Sequence, residues 1–185
     1  MNITPIPAFS DNYIWMIAHE GRAAVVDPGD PTPVLKTLEE QGLALDTIII
    51  THHHFDHTGG VSALKKATGC RVIGPDNPKI ADIDETMTEG ARVTVLGYGF
   101  EIMEVPGHTL DHIAYYNAED GTLFCGDTLF VGGCGRVFEG TFPMMQQSLA
   151  KLSHLPSETK VYCTHEYTMA NLSFARKVEP TNADL

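Results

Sequence analysis

Three consecutive isoleucines, Ile48 to Ile50, run directly into Thr51-His52-His53-His54-Phe55-Asp56-His57. The stretch Thr47 to Thr51 reads as a strand buried on both faces. An unbroken β-branched run suits the middle of a covered sheet better than a half-exposed edge. The histidine-rich segment then falls on the loop at that strand's C-terminal end. Such a loop can gather imidazoles and a carboxylate into one small volume, and both are good ligands for zinc, iron or manganese. A His-rich surface tract is the bland alternative, but this run is internal, follows a buried strand and includes an acid.

Three further residues stand at the ends of other apolar runs. His108 lies in Pro106-Gly107-His108-Thr109, Asp127 follows Phe124-Cys125-Gly126, and His165 follows Val161-Tyr162-Cys163-Thr164. Each alone is more often a cap or a surface residue. Repeated over four strand ends, ligand-type residues describe one site along one edge of a sheet.

The rest of the pattern supplies the frame. Ala23 to Val26 reads as a strand closed by the turn Asp27-Pro28-Gly29-Asp30. Thr32 and Pro33 read as an N-cap and first helical residue, with Val34, Leu35 and Leu38 on one face and Gly42 as the stop. Val61, Leu64 and Lys65 open a helix that ends near Gly69, and Arg71 to Ile73 is a short strand. Further strands are expected at Val93–Leu96, Phe100–Val105, Ile113–Tyr116, Leu123–Cys125 and Val161–Cys163, punctuated by Gly97, Gly107 and Gly121. Helices are expected at Met144–Leu155, with Met145, Leu149 and Leu152 inward, and at Met169–Val178. Strands in two groups, with helices between and outside them, predict a layered α/β domain without specifying which one.

A chain of 185 residues is long enough for one well-buried domain. No apolar run approaches the roughly 18 residues a membrane span needs. Met1 to Ser10 has neither the basic nor the apolar region of a signal peptide, which points to the cytoplasm. The net charge of −12 argues against a nucleic-acid partner, which needs a basic face, and gives no support to binding anionic membranes. Cys70, Cys125, Cys134 and Cys163 form no C-x-x-C pair, so reduced, mostly buried thiols are expected.

The motif T-H-x-H-x-D-H, followed by G-H-T, G-D and a late strand-end histidine, resembles the metal signature of the metallo-β-lactamase superfamily. Further segments narrow the likeness. Asp11-Asn12-Tyr13, Asp27-Pro28-Gly29, Phe124 to Phe130, Gly133-Cys134-Gly135-Arg136, Phe138-Glu139-Gly140-Thr141 and Thr164-His165-Glu166-Tyr167-Thr168 resemble glyoxalase II, the hydroxyacylglutathione hydrolases. The likeness runs from about Met1 to Asn182. It implies a four-layer αββα sandwich over residues 1–185. It also implies two divalent ions, most simply zinc, with iron or manganese also accepted. His52, His54 and His108 would hold one ion and Asp56, His57 and His165 the other, with Asp127 and a hydroxide bridging them. Asp56 would also orient the nucleophile. Asp27 and His112 would brace the ligands from behind, whereas His53 and Phe55 occupy variable positions and His19 and His154 are surface histidines.

The implied substrate is a small glutathione thioester such as S-lactoylglutathione, split to glutathione and a 2-hydroxy acid. Arg136, Phe138, Tyr167 and Asn171 stand where that family contacts glutathione, although Phe138 lacks the hydroxyl several members carry there. The family's C-terminal helical domain, with its further basic contacts, is absent from this sequence, which weakens the expected hold on glutathione. A β-lactam hydrolase on the same centre, natural or engineered, is the alternative, ahead of a one-iron persulfide dioxygenase and of a non-catalytic metal-binding domain. Chemistry favours the thioester. A thiolate, with a conjugate pKa of about 8.5 by analogy with cysteine, leaves without full protonation, and no general acid is evident for an amine. The oligomeric state is not encoded in these motifs, and a monomer is compatible with them.

Overall fold

A computed structural model describes residues 1–185. Six strands form the first sheet in chain order: β1 (Asn2–Ala8), β2 (Asn12–His19), β3 (Arg22–Val26), β4 (Ala44–Ile49), β5 (Arg71–Pro75) and β6 (Glu85–Met87). The β1–β2–β3 part is antiparallel, and β3 through β6 pair in parallel. The second sheet has the order β13 (Lys160–Cys163), β10 (Thr122–Gly126), β9 (Ile113–Asn117), β8 (Tyr98–Glu104), β7 (Arg92–Val95). A two-stranded ribbon, β11 (Leu129–Phe130) with β12 (Gly133–Cys134), stands apart.

Alternation along the strands divides the apolar residues into three layers. Ile48 and Ile50 join Val25, Val34, Leu38, Val61 and Leu64 in one cluster. This cluster lies beneath α1 (Pro31–Gln41) and α3 (Val61–Thr68). Ile49 points the other way, into a second cluster with Val26, Phe100, Ile102, Tyr115 and Phe124 that fills the space between the sheets. Ala114, Leu123 and Cys125 face a third cluster with Leu152 of α4 (Phe142–Ser153). The order helix, sheet, sheet, helix is the αββα sandwich, and the isoleucine run is buried on both faces because it lies between two of these layers.

Several local expectations need correction. The first helix is capped one turn-start earlier: Asp30 accepts from Thr32 N at 2.8 Å, and Pro31 is the first helical residue. The carboxylate of Asp30 is the better cap, and the proline with no N–H to satisfy follows it directly. Leu35 is exposed while Val34 and Leu38 are buried. The ligand-rich loop contains a single helical turn, α2 (Phe55–Thr58), with His54 at its N-cap. The helix expected from Met144 starts at Phe142, where Thr141 caps it, and α5 (Thr168–Val178) buries no side chain. His19 stays at the surface, its ring edge-on to Tyr98 at 5.3 Å. No helix is long and apolar enough to cross a membrane, and all four cysteines are free, with Cys134 alone fully exposed.

Candidate metal centre

The loops after β3, β4, β8, β10 and β13 carry Asp27, the His52–His57 segment, His108, Asp127 and His165 to one edge of the sandwich. The chain is tightly folded there. A Cβ on Gly29 would collide with the Asp56 carbonyl, and one on Gly135 with the carbonyl of Asp127. Asp27 itself holds φ 53°, a left-handed conformation uncommon outside glycine. Strain of that kind at a site is maintained by the contacts around it, and the Asp27 side chain makes three hydrogen bonds. Its Oδ1 accepts from Thr51 N at 2.7 Å, and its Oδ2 accepts from Thr51 Oγ1 at 2.7 Å and His57 Nδ1 at 3.1 Å.

Those contacts fix which ring nitrogens carry protons. Thr51 gives its only hydroxyl proton to Asp27, so it accepts from His52 Nδ1 at 3.0 Å. His108 Nδ1 donates to the Arg136 carbonyl at 2.7 Å. The free nitrogens, Nε2 of His52 and Nε2 of His108, therefore present lone pairs, and both point at His54 Nδ1, at 3.1 and 3.0 Å. One proton on His54 could satisfy only one of these two. Three ring nitrogens converging in this way are a donor set for a cation.

A second group is built by the same logic. His57 Nδ1 faces Asp27 and His165 Nδ1 faces Asp11 at 2.7 Å, which leaves both Nε2 atoms turned inward. Asp56 Oδ2 lies 3.4 Å from His57 Nε2 and 3.3 Å from His165 Nε2. Asp127 touches both groups. Its Oδ2 is 3.4 Å from His108 Nε2 and 3.3 Å from His165 Nε2, and its Oδ1 is 3.4 Å from His57 Nε2. His57 Nε2 and Asp127 Oδ1 are buried without a hydrogen-bond partner. Buried polar atoms are seldom left so, and a divalent cation would satisfy both. The residues thus fit two ions, one among His52, His54 and His108 and one among Asp56, His57 and His165.

The electrostatics separate the two groups. Burial, aided by neighbouring imidazoles, lowers the pKa of His52 well below 6.5. Burial likewise lowers His54 and His108, the latter against the opposing pull of Asp127. These rings are neutral and ready to ligate. Burial also works against charge on His57, but Asp127 and Asp27 outweigh it and raise that pKa. For His165 burial is again overcome, by hydrogen bonds to Asp127 and Asp56, and its pKa reaches about 10. Burial opposes ionisation of Asp56 and Asp127 too, yet His57 and His165 hold both carboxyls well below the ordinary range.

Around these donors lie the other residues singled out in the sequence. His112 is fully buried, and its Nε2 accepts from Asp127 N at 3.1 Å. Burial lowers its pKa to about 3, so it stays a neutral acceptor. Phe138 packs edge-on to His54 and His108, at 5.7 and 5.3 Å between ring centres, and the Arg136 guanidinium lies 5.1 Å over the Phe138 ring. Tyr167 stacks on His165 with the rings parallel and 4.9 Å apart. Asn171 donates to the Val131 carbonyl at 3.1 Å and so pins the β11–β12 ribbon.

Sequence reasoning assigned no role to Asn12, which donates to Asp56 Oδ2 at 3.0 Å, nor to Asp11 and Thr51. It also dismissed His53, which is largely buried, donates from Nδ1 to Asp111 at 2.9 Å and meets Lys79 Nζ at 3.1 Å through Nε2. His53 thereby ties the loop of His52 and His54 to the loop of His108. Asp11 and Asn12 stood inside a quoted motif, which was the available signal; nothing local pointed to Asp111.

Residues 8–165 match the family model described as the metallo-beta-lactamase superfamily. A hydroxyacylglutathione hydrolase from Ectopseudomonas mendocina (strain ymp) is 58% identical over 188 residues, an alignment spanning 100% of this chain and 73% of that protein. Among solved structures, the BLEG-1 B3 metallo-beta-lactamase superposes with a TM-score of 0.82 at 24% identity, covering 89% of this chain and 92% of that one. TTHA1623 in a di-iron-bound form has a TM-score of 0.77 at 26% identity, covering 98% of this chain and 100% of that one. With the donor set already in place at the strand ends, this agreement of sequence and fold places the chain in the metallo-beta-lactamase superfamily and, within it, in the hydroxyacylglutathione hydrolase family.

Proposed function

We propose that residues 1–185 act as one catalytic domain that hydrolyses S-2-hydroxyacylglutathione thioesters, such as S-lactoylglutathione, to glutathione and a 2-hydroxy acid. The observation that carries this reading is the convergence of ligand atoms in two groups joined by Asp127, in a chain 58% identical to a hydroxyacylglutathione hydrolase. His52, His54 and His108 would hold one ion and Asp56, His57 and His165 the other, with Asp127 within reach of both. We propose zinc, which suits imidazole and carboxylate donors; iron and manganese suit them as well, and the di-iron form of TTHA1623 supports the iron option. Bound there, a divalent pair supplies an activated water at neutral pH and polarises a carbonyl oxygen.

The chain's own residues do the rest. Asp27, Asp11, Thr51 and the Arg136 carbonyl hold the imidazoles in the ligating tautomer. Asp56, fixed by Asn12, orients the attacking water. Phe138 walls the site beside His54 and His108, and Arg136 meets a carboxylate of the glutathione moiety. Tyr167 and Asn171 line the far side with the ribbon that Asn171 holds. The thiolate leaves without a proton donor, since thiols of this kind have pKa values of about 8.5. An amine could not leave so easily, and the likeness to a lactamase at 24% identity speaks to fold alone; the β-lactam alternative has no support of its own. A cytoplasmic site of action fits a glutathione substrate. Side-by-side initial rates on S-lactoylglutathione and a chromogenic cephalosporin test the assignment. Thioester turnover well above any lactam turnover is expected, and the reverse order overturns it.

A further inference from the structure

Asp11, the last residue of the turn between β1 and β2, and Asn12, the first of β2, are remote in sequence from every metal donor, yet they touch two donors of the same group. Asn12 Nδ2 donates at 3.0 Å to Asp56 Oδ2, the oxygen that also faces Nε2 of His57 and of His165. Asp11 Oδ1 accepts from His165 Nδ1 at 2.7 Å. The backbone holds the turn against the late histidine on both sides. Tyr13 N donates to the Thr164 carbonyl at 2.6 Å, Glu166 N donates to the Asp11 carbonyl at 3.0 Å, and Asn12 and His165 form an isolated β-bridge.

Asn12 is buried, and a buried amide is costly unless its hydrogen bonds are made. An apolar residue would fill the space at lower cost, so the amide's worth lies in what it grips. Being neutral, it fixes the Asp56 carboxylate without cancelling its charge. The supports of His52 and His108 come from elsewhere, from Thr51 and the Arg136 carbonyl. Neither side chain of the turn has a hydrogen bond to His52, His54 or His108.

We propose that Asp11 and Asn12 are positioning residues that set the affinity for one ion, the one held by Asp56, His57 and His165. Residues that orient ligands from behind typically change metal affinity 10- to 100-fold when removed. The inference rests on the two-ion reading above, and the test separates them. Metal-stripped protein is titrated with Mn2+ against a chelator, with the spin coupling of a neighbouring Mn2+ pair followed by electron paramagnetic resonance. Wild-type protein should take up two ions with a coupled signal. Asn12→Leu and Asp11→Ala should bind the first ion as wild type does and the second about 10- to 100-fold more weakly, with the coupled signal delayed accordingly. Asp11→Asn, whose carbonyl can still accept from His165, should recover most of that loss. Tyr13→Phe, which removes only the exposed Tyr13–Glu166 bond in the same turn, should match wild type. Asp11 is only half-buried, so Asp11→Ala keeps the test decisive if Asn12→Leu fails to fold. Variants that lose both ions together, or neither, overturn the role of the turn while leaving the two-ion reading intact. A wild-type protein that saturates at one ion overturns both.

Discussion

Asp27 Oδ2 lies 3.1 Å from His57 Nδ1, and that contact decides which nitrogen of a fully buried imidazole turns toward the metal centre. The same carboxylate holds the backbone and hydroxyl of Thr51. Asp27→Ala should therefore leave several buried donors unpaired at once. Loss of one partner from a buried charged pair costs about 3–5 kcal/mol, and the metal-free variant should unfold at correspondingly lower urea concentration. A shift within experimental error would show that Asp27 holds nothing in place.

Asp127 is the one carboxylate within 3.4 Å of donors in both groups. Asp127→Ala should deplete both ions and abolish hydrolysis. Phe55→Trp should be silent, because that ring is 74% exposed and outside the donor set. Elemental analysis of the two variants beside wild type checks the contrast; two retained ions in Asp127→Ala would remove it from the bridging position.

The two groups should differ in their response to pH. In metal-free protein the pKa of His165 is raised to about 10 and that of His57 is raised as well. Both are charged at neutral pH and must lose protons to ligate. Loading of this group should release protons, and its affinity should climb as pH rises toward about 10. His52, His54 and His108 have lowered pKa values, so their ion should enter without proton release. The same shifts act on folding. A raised histidine pKa stabilises the folded state fully below its ordinary value of 6.5 and progressively less as pH passes through about 10. Metal-free protein should thus lose denaturant resistance between these limits. Calorimetric titration in buffers of different ionisation heat measures the proton count directly.

Much of this site was legible because its chemistry is concentrated. Ile48 to Ile50 announced a covered strand, and the donors at His52, His108, Asp127 and His165 each followed an apolar run. Assignment of the donors to two groups came from family resemblance, not from spacing. The supports were harder to read, since they meet their partners only through the tertiary fold: Asn12 reaches Asp56 across 44 positions and Asp111 reaches His53 across 58. The strand β1 escaped notice for a local reason. Pro5 and Pro7 interrupt its pattern, and prolines are tolerated there because β1 is an edge strand paired on one side only. Two adjacent Xaa-Pro pairs likewise blurred the start of α1, where Asp30-Pro31 competes with Thr32-Pro33 and wins through the stronger cap.

Arg136 joins two roles that substitution can separate. Its carbonyl holds His108, and its guanidinium stands free over Phe138. Arg136→Ala keeps the carbonyl, so metal content should not change. KM for a glutathione thioester should rise by an amount equivalent to about 1–3 kcal/mol, the worth of a charge-assisted hydrogen bond, while a small neutral thioester is hydrolysed equally by both forms. Equal losses on the two substrates would place Arg136 with the metal site instead.

Stepwise reconstitution tests the central claim most directly. Metal-stripped protein receives Zn2+ in measured increments, and the initial rate of S-lactoylglutathione hydrolysis is recorded at each. The stripped protein should be inactive, with the rate rising to a plateau at about two ions per chain, one for each donor group. Full activity without metal, or a plateau at one ion, would contradict the account.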